Sequence, residues 1–206
     1  MTDDIWAHID PFETELGLRP GFLRGLRTSA DDWSFVIKLH ALFEAALAHC
    51  LCEELGRPEL ASVLAYTELS RDKAGKVEFG KAIGLLTKRE RRFLRSLSEM
   101  RNMLVHEVRN TGFTFESHVA AMTAPQRSAF YDRFELDVEV DYVEIDGNRI
   151  PRQQFFLENP KLCLWVAALV LLEYLYQHKE ITRLSRDLEG KYAAAFKRLR
   201  EPSEGA

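Results

Sequence analysis

The run from about residue 31 to 55 restricts the fold most strongly, because it predicts a helix that is apolar on nearly every side. Ser29, with Asp32 three residues later, resembles a capping box at its start, and Gly56 and Pro58 end it. Projected at about 100° per residue, apolar side chains surround it: Phe35, Val36, Ile37, Leu39, Leu42, Phe43, Ala46, Leu47, Cys50 and Leu51. Such a helix must be covered by others, so the sequence predicts an all-α helical bundle with this helix at its centre.

The rest of the chain is predicted to complete one bundle domain over residues 31–200, after an N-terminal arm of residues 1–30 and before a flexible tail of residues 201–206. Residues 136–142 alternate between apolar and acidic side chains, and Asp146-Gly147 is a turn signal, so a small β-hairpin insertion is expected at about 136–150. Further helices are predicted at 58–69, 75–86, 88–108, 123–134, 159–178 and 182–200.

Composition bears on the compartment and on the partners. The formal net charge of −4 gives the chain no general attraction to duplex DNA. Cys50, Cys52 and Cys163 lie in apolar runs without a C-x-x-C spacing, so we expect reduced thiols in a cytoplasmic protein. The acidic start lacks the apolar stretch of a signal peptide, and the run Leu162–Leu172 is too short to cross a bilayer, so no membrane association is expected.

The motifs that hold metals or cofactors are missing from the sequence. We find no paired Cys/His ligand pattern, no glycine-rich phosphate loop and no G-x-S-x-G or H-E-x-x-H motif. The acidic side chains of 136–146 alternate along a strand, where mutual repulsion favours solvent or a basic partner over a metal ion. We therefore expect no metal and no cofactor.

Positive charge is concentrated in one segment. Residues 71–109 carry 11 Lys/Arg against 5 Asp/Glu, a net charge of +6 between acidic neighbours. Arg91, Arg92 and Arg95 are candidates for binding the phosphates of a substrate. The other interpretation is a solvated helix face whose arginines pair with acidic neighbours.

The predicted helix at 88–108 begins with a Thr87/Glu90 capping box and has two contrasting faces. Arg101 lies within its apolar arc, about 80° from Phe93, where a charge needs a carboxylate partner. Glu44 is the acid out of place on the apolar helix, so we predict a structural ion pair between Glu44 and Arg101. Asn102 and His106 share the opposite, polar face. His106 is suited to acid/base chemistry, and equally to interacting with the helix C-terminus.

The segment Arg101-Asn102-Met103-Leu104-Val105-His106 resembles the R-N-x-x-x-H signature of the HEPN superfamily. The resemblance covers roughly residues 31–120. It implies a helical bundle, a homodimer and, in many members, a metal-independent endoribonuclease of the toxin or defence type. The catalytic residues would then be Arg101, Asn102 and His106, with the arginine and histidine meeting across the dimer axis. RNA would be the substrate, an antitoxin protein a potential partner, and a 2′,3′-cyclic phosphate the product.

A second resemblance carries a different function. The stretches Ser34–Ile37, Glu44-Ala45, Lys81–Leu86, Met100-Arg101 with His106-Glu107, and Phe113–Glu116 are similar to the mannitol operon repressor family. That family implies a non-catalytic transcriptional regulator that acts through protein–protein contacts. A His106 facing a basic cleft shared by two copies would favour the ribonuclease, and a His106 covered by residues 113–120 would favour the regulator.

Overall fold

The computed structural model describes residues 2–135 and 140–200, and the side chains of residues 9–135 and 140–197. The described chain is an all-α bundle with one small two-stranded antiparallel sheet, as predicted. Its elements are α1 (Thr2–Glu15), α2 (Phe22–Thr28), α3 (Asp32–Leu55), α4 (Ala61–Ala65), α5 (Lys76–Ala82), α6 (Lys88–Val105), α7 (Phe115–Ala120), α8 (Ala124–Phe134), β1 (Tyr142–Ile145), β2 (Asn148–Pro151), α9 (Arg152–Glu158) and α10 (Pro160–Arg200). Two 3-10 turns, Pro58–Leu60 and Val108–Gly112, join neighbouring helices.

Helix α3 is the centre of the bundle, as its apolar sequence predicts. Its first turn is capped by Asp31, whose side chain accepts the Trp33 amide at 3.0 Å. Its last turn ends at Gly56, which adopts a φ of 61° that a residue with a side chain rarely tolerates. Helices α4, α5, α6 and α10 pack around it, and its buried residues form the middle of the core.

Helix α6 begins where the sequence predicts it and ends earlier. The Thr87 hydroxyl accepts the Glu90 amide at 3.4 Å, and the Glu90 carboxylate accepts the Thr87 amide in return. The helix ends at Val105, three residues before the predicted end, with His106 as its C-terminal cap. Asn110 Nδ2 donates to the Met103 carbonyl at 2.7 Å, which holds the following 3-10 turn against this end.

The N-terminal segment is part of the core, although an arm was expected. Ile9, Leu23 and Leu26 are buried in the core cluster. The fully buried Glu13 carboxylate accepts the amides of Gly21 and Leu23, which begin helix α2. The local sequence did not predict helices here, because Pro11 and several glycines lower the helix propensity of this segment. The contacts that stabilise its helices are tertiary.

The described hairpin covers residues 142–151, against the predicted range of about 136–150. Strands β1 and β2 pair from Tyr142–Pro151 to Ile145–Asn148. Asp146 and Gly147 make the turn with φ values of 49° and 78°, as expected for a two-residue hairpin loop. The first half of the alternating segment, residues 136–139, lies outside the described residues.

Helix α10 is one continuous helix of 41 residues, where two helices had been predicted. Thr182, interpreted as a helix start, instead donates its hydroxyl to the Glu54 carboxylate of α3. The segment between the two predicted helices contains neither glycine nor proline, so nothing in it stops helix propagation.

Helix α3 is long and apolar enough to cross a membrane by length and composition, with a mean hydropathy of 1.5 in its most apolar window. Half of that window is buried inside the bundle. Helices α9 and α10 meet the same criterion only as a pair, across a bend of 110°. The central helix of a bundle meets this length and hydropathy criterion as readily as a membrane-spanning helix does.

Candidate functional site

Arg101, Asn102 and His106 lie together at the C-terminal end of α6. Asn102 and His106 are exposed and Arg101 is half-buried. Arg101 Nη1 donates to Asn102 Oδ1 at 3.1 Å, and the His106 amide donates to the Asn102 carbonyl at 3.3 Å. Five helical residues place Arg101 and His106 about 140° apart around the axis. The hydrogen bond to Asn102 draws the guanidinium toward the face that carries His106.

The predicted ion pair between Glu44 and Arg101 does not form, and that prediction is wrong. Glu44 Oε2 lies 3.6 Å from His40 Nδ1, and Glu44 Oε1 accepts the Leu69 amide at 3.2 Å. Within the described part of the chain, Arg101 makes no ion pair closer than 4.0 Å. The carboxylate is satisfied by the histidine one turn earlier on α3 and by a loop amide, so it does not need the arginine.

A buried polar cluster on α3, α5 and α6 replaces the predicted pair. Besides its contact with Glu44, His40 places Nε2 3.2 Å from Ser98 Oγ. Lys76 is only 1% exposed. Burial lowers the pKa of His40, and the charges of Arg101 and Lys76 lower it further, while Glu44 opposes them. Burial also lowers the pKa of Lys76, again against the effect of Glu44.

This cluster has the connectivity of a Ser-His-Glu triad but not the access that a triad needs. Ser98 is 4% exposed and His40 is also buried, so a substrate cannot reach the hydroxyl. We therefore interpret it as a core network. His40 and Glu44 are one turn apart on α3, which brings their side chains together, whereas Ser98 and Lys76 come from other helices and carry no local signal.

The three arginines proposed to bind phosphates differ in their surroundings. Arg91 Nη1 donates to the Leu86 carbonyl at 2.7 Å. Arg95 pairs with Glu78, and this hydrogen bond lowers the pKa of that carboxyl. Arg91 and Arg95 therefore agree with the second interpretation, a helix face whose arginines are paired within the chain. Among the described residues Arg92 has no hydrogen-bond or ion-pair partner, and its Nε is buried.

The surroundings of His106 are open and partly apolar. His106 is exposed, so residues 113–120 do not cover it. It is instead His118 that packs against Phe113 and Phe130. Exposed apolar side chains adjoin His106 along the chain, and Val108 is 88% exposed. A substrate or a protein could therefore approach this end of α6 from solvent.

A cavity of about 440 Å³ opens between α6, α7 and α8. Met100, Met103, Met122, His118 and Phe130 are among its lining residues. Met103 follows Asn102 directly, so the cavity lies beside the Arg101–His106 segment. Its wall is mostly apolar, and its two charged lining residues, Glu99 and Arg133, pair with each other at 3.2 Å. The cavity therefore does not suit a phosphate.

Comparisons with protein families, with curated proteins and with solved structures each find no match for this chain. Among residues 2–135 and 140–200, no three His, Cys, Asp or Glu side chains are grouped so that they could hold a metal ion. The functional interpretation therefore depends on the chemistry of the α6 residues.

Proposed function

We propose that this protein binds RNA and cleaves it as a metal-independent endoribonuclease of the HEPN type. The observation that carries the proposal is the exposed His106 at the end of α6, beside an Asn102 that holds the Arg101 guanidinium. Imidazole titrates near neutrality and can exchange protons with RNA. A guanidinium without an ion-pair partner is available for a phosphate.

The proposed reaction is an attack of the ribose 2′-oxygen on the adjacent phosphorus. The proton of the 2′-hydroxyl passes to one histidine, the phosphorus–5′-oxygen bond breaks, and a second histidine protonates the leaving oxygen. A homodimer would supply both histidines as the two copies of His106. Arg101 would stabilise the charge on the phosphorane, and the products are a 2′,3′-cyclic phosphate and a 5′-hydroxyl.

The remaining side chains would position the substrate. Asn102 would orient the Arg101 guanidinium through the hydrogen bond already present at 3.1 Å. Arg92 is the better candidate for a contact with a distant phosphate, because Arg91 and Arg95 are held by acceptors of this chain. Loss of one phosphate contact reduces binding uniformly across sequences and lowers its salt dependence.

The test is cleavage of a mixed RNA pool in EDTA by the wild type and by His106→Ala. We expect cutting by the wild type and a loss of at least about 100-fold in the variant, the usual contribution of a general acid or base. Arg101→Ala should also reduce cutting, with a loss of stability of about 1 kcal/mol, because it removes a hydrogen bond to an exposed side chain and the packing of a half-buried one.

His49→Ala is the matched control, because His49 is exposed on α3 and lies on a different helix from the site. Its activity should equal that of the wild type. Cutting that survives in His106→Ala would exclude the mechanism. So would the absence of cutting by folded wild-type protein over a range of RNA substrates.

The second candidate is a non-catalytic regulator of the mannitol operon repressor type that binds another protein. The exposed Met103, Val105 and Val108 beside His106 favour it, because apolar side chains suit a protein contact better than a phosphate. Val108→Glu separates the two candidates. Loss of a captured protein partner, with RNA untouched by the wild type, would support the regulator.

A further inference from the structure

The C-terminal part of α10 extends beyond the bundle. Arg186 Nη2 donates to the Glu54 carbonyl at 2.6 Å, where the helix passes the end of α3. From Asp187 to Lys197 every side chain is exposed. At 1.5 Å per residue this projecting segment is about 16 Å long.

The projecting helix carries an apolar stripe that continues back along the exposed side of the bundle. Its members recur at spacings of three and four residues and are each 54% to 66% exposed: Ile181, Leu184, Leu188, Tyr192 and Phe196. They fall within an arc of about 120°, the width of a face that normally packs on another element. Nothing in the described chain covers this face.

The stripe is complementary to itself when a second copy runs antiparallel and crosses at Leu188. Leu188 then lies beside its own counterpart, and Leu184 faces Tyr192 of the second copy. In the same register, Ile181 lies beside Phe196 of the second copy. Five apolar residues are thereby paired by one symmetry axis, as an isologous two-fold contact requires.

Charged side chains flank the stripe on both edges. Asp187 and Lys191 flank it on the same side, and neither has an ion-pair partner within the described chain. In the antiparallel register Asp187 is offset by about 3 Å along the axis from Lys191 of the second copy, twice across the two-fold, and by the same amount from its own counterpart. Glu189, on the other edge, is equally near its own counterpart. A parallel pair would bring both bundles to the same end of the helices.

The apolar area that the stripe exposes is close to the area that each partner buries in a stable dimer. The exposed parts of the five stripe residues amount to roughly 600 Å² per copy, judged from the size of such side chains. A standard stable interface buries about 800 Å² per partner. The flanking charged stems can supply the remainder.

We propose that a second copy of this chain covers the exposed stripe of α10, forming an antiparallel two-helix contact centred on Leu188. This contact is independent of RNA cleavage, because it involves neither His106 nor its neighbours. Its test also uses no RNA, so either proposal can fail without the other.

The first test is the molar mass in solution, measured by light scattering on the full chain at tens of micromolar. Leu188→Glu should have half the molar mass of the wild type or less, with the same helical content by circular dichroism, whether or not the copies of His106 also meet at a separate contact. Val63→Glu is the matched control, because Val63 is also exposed and apolar but lies on α4; it should keep the wild-type mass. A one-chain mass for the wild type, or equal molar masses for the wild type and Leu188→Glu, would overturn the proposal.

Cysteine cross-linking tests the orientation. A mixture of Ile181→Cys and Phe196→Cys chains should form a disulfide between the two variants. Ile181→Cys alone should not, because the two copies of residue 181 lie about 21 Å apart in the antiparallel register, beyond the reach of a disulfide. A disulfide formed by Ile181→Cys alone, beyond the background of the parent chain, would contradict the antiparallel orientation.

Discussion

At the scale of single residues, the most consequential side chains are polar groups whose partners come from other helices. His40 contacts Glu44 on its own helix and Ser98 on α6, and Lys76 of α5 adds a buried charge nearby. A histidine in such surroundings is held neutral, because burial and two cations oppose its protonation. The stability of the bundle should therefore depend on pH in the acidic range.

The first residue-scale prediction concerns that dependence. The folded-state pKa of His40 lies below its ordinary value of 6.5, so the unfolded chain binds the proton more readily. Stability should be complete above about pH 6.5 and fall as the pH decreases below it. His40→Gln should flatten the curve of melting temperature against pH between about 7 and 5.

The controls separate His40 from the other histidines. Burial also lowers the pKa of His118, so His118 too should make stability fall as the pH decreases. His118→Gln should therefore remove a separate part of the dependence of melting temperature on pH. His49→Gln should leave the curve unchanged, because His49 is exposed. An unchanged slope in His40→Gln would show that protonation of His40 is not coupled to unfolding.

At the scale of elements, the start of α5 depends on a close approach of the backbone. A Cβ on Gly75 would lie 2.3 Å from the Arg71 amide nitrogen, which belongs to the turn preceding the helix. The Gly75 amide also donates to the Arg71 carbonyl at 2.9 Å, so the turn cannot simply move away. This turn places Lys76 and Val77 in the core.

We therefore expect Gly75→Ala to destabilise the protein by about 3 kcal/mol, the upper end of the usual cost of overpacking. Gly112→Ala is the matched control, because a Cβ there meets nothing within 4 Å. It should change the free energy of unfolding by less than about 0.5 kcal/mol. Urea denaturation of both variants gives the comparison, and equal stabilities would refute the steric argument.

At the scale of the whole molecule, the N-terminal helices and α10 form one body with the central bundle. Trp165 Nε1 of α10 donates to the Leu23 carbonyl of α2 at 2.9 Å. Glu13 of α1 closes the same region by accepting two amides of α2, although it is completely buried. The segment that local sequence marks as an arm is thereby required for the core.

Glu13→Ala should cost about 2 kcal/mol or more, because it leaves the buried Leu23 amide and the half-buried Gly21 amide without an acceptor. Glu15→Ala is the matched control on the same helix, since Glu15 is exposed and should be nearly neutral. Thermal unfolding checks both variants. A Glu13→Ala variant as stable as the wild type would mean that α1 and α2 do not unfold together with the bundle.

The sequence by itself determined the fold class, the central helix and the capped start of α6. These features depend on local information: the apolar pattern of α3, the Thr87/Glu90 box of α6 and the glycine at position 56 act over one or two turns. The sequence also grouped Arg101, Asn102 and His106, because they lie within six residues of one helix.

The tertiary structure alone decided which polar groups pair and which surfaces stay open. The sequence predicted that Glu44 pairs with Arg101, and only the packing of α3 against α5 and α6 shows that its partner is His40. The sequence also did not predict the exposed stripe of α10. An amphipathic helix has the same local pattern whether or not other helices of the bundle cover its apolar face. Contacts between distant segments depend on how the helices pack together, and the pattern of residues within one helix does not specify that packing.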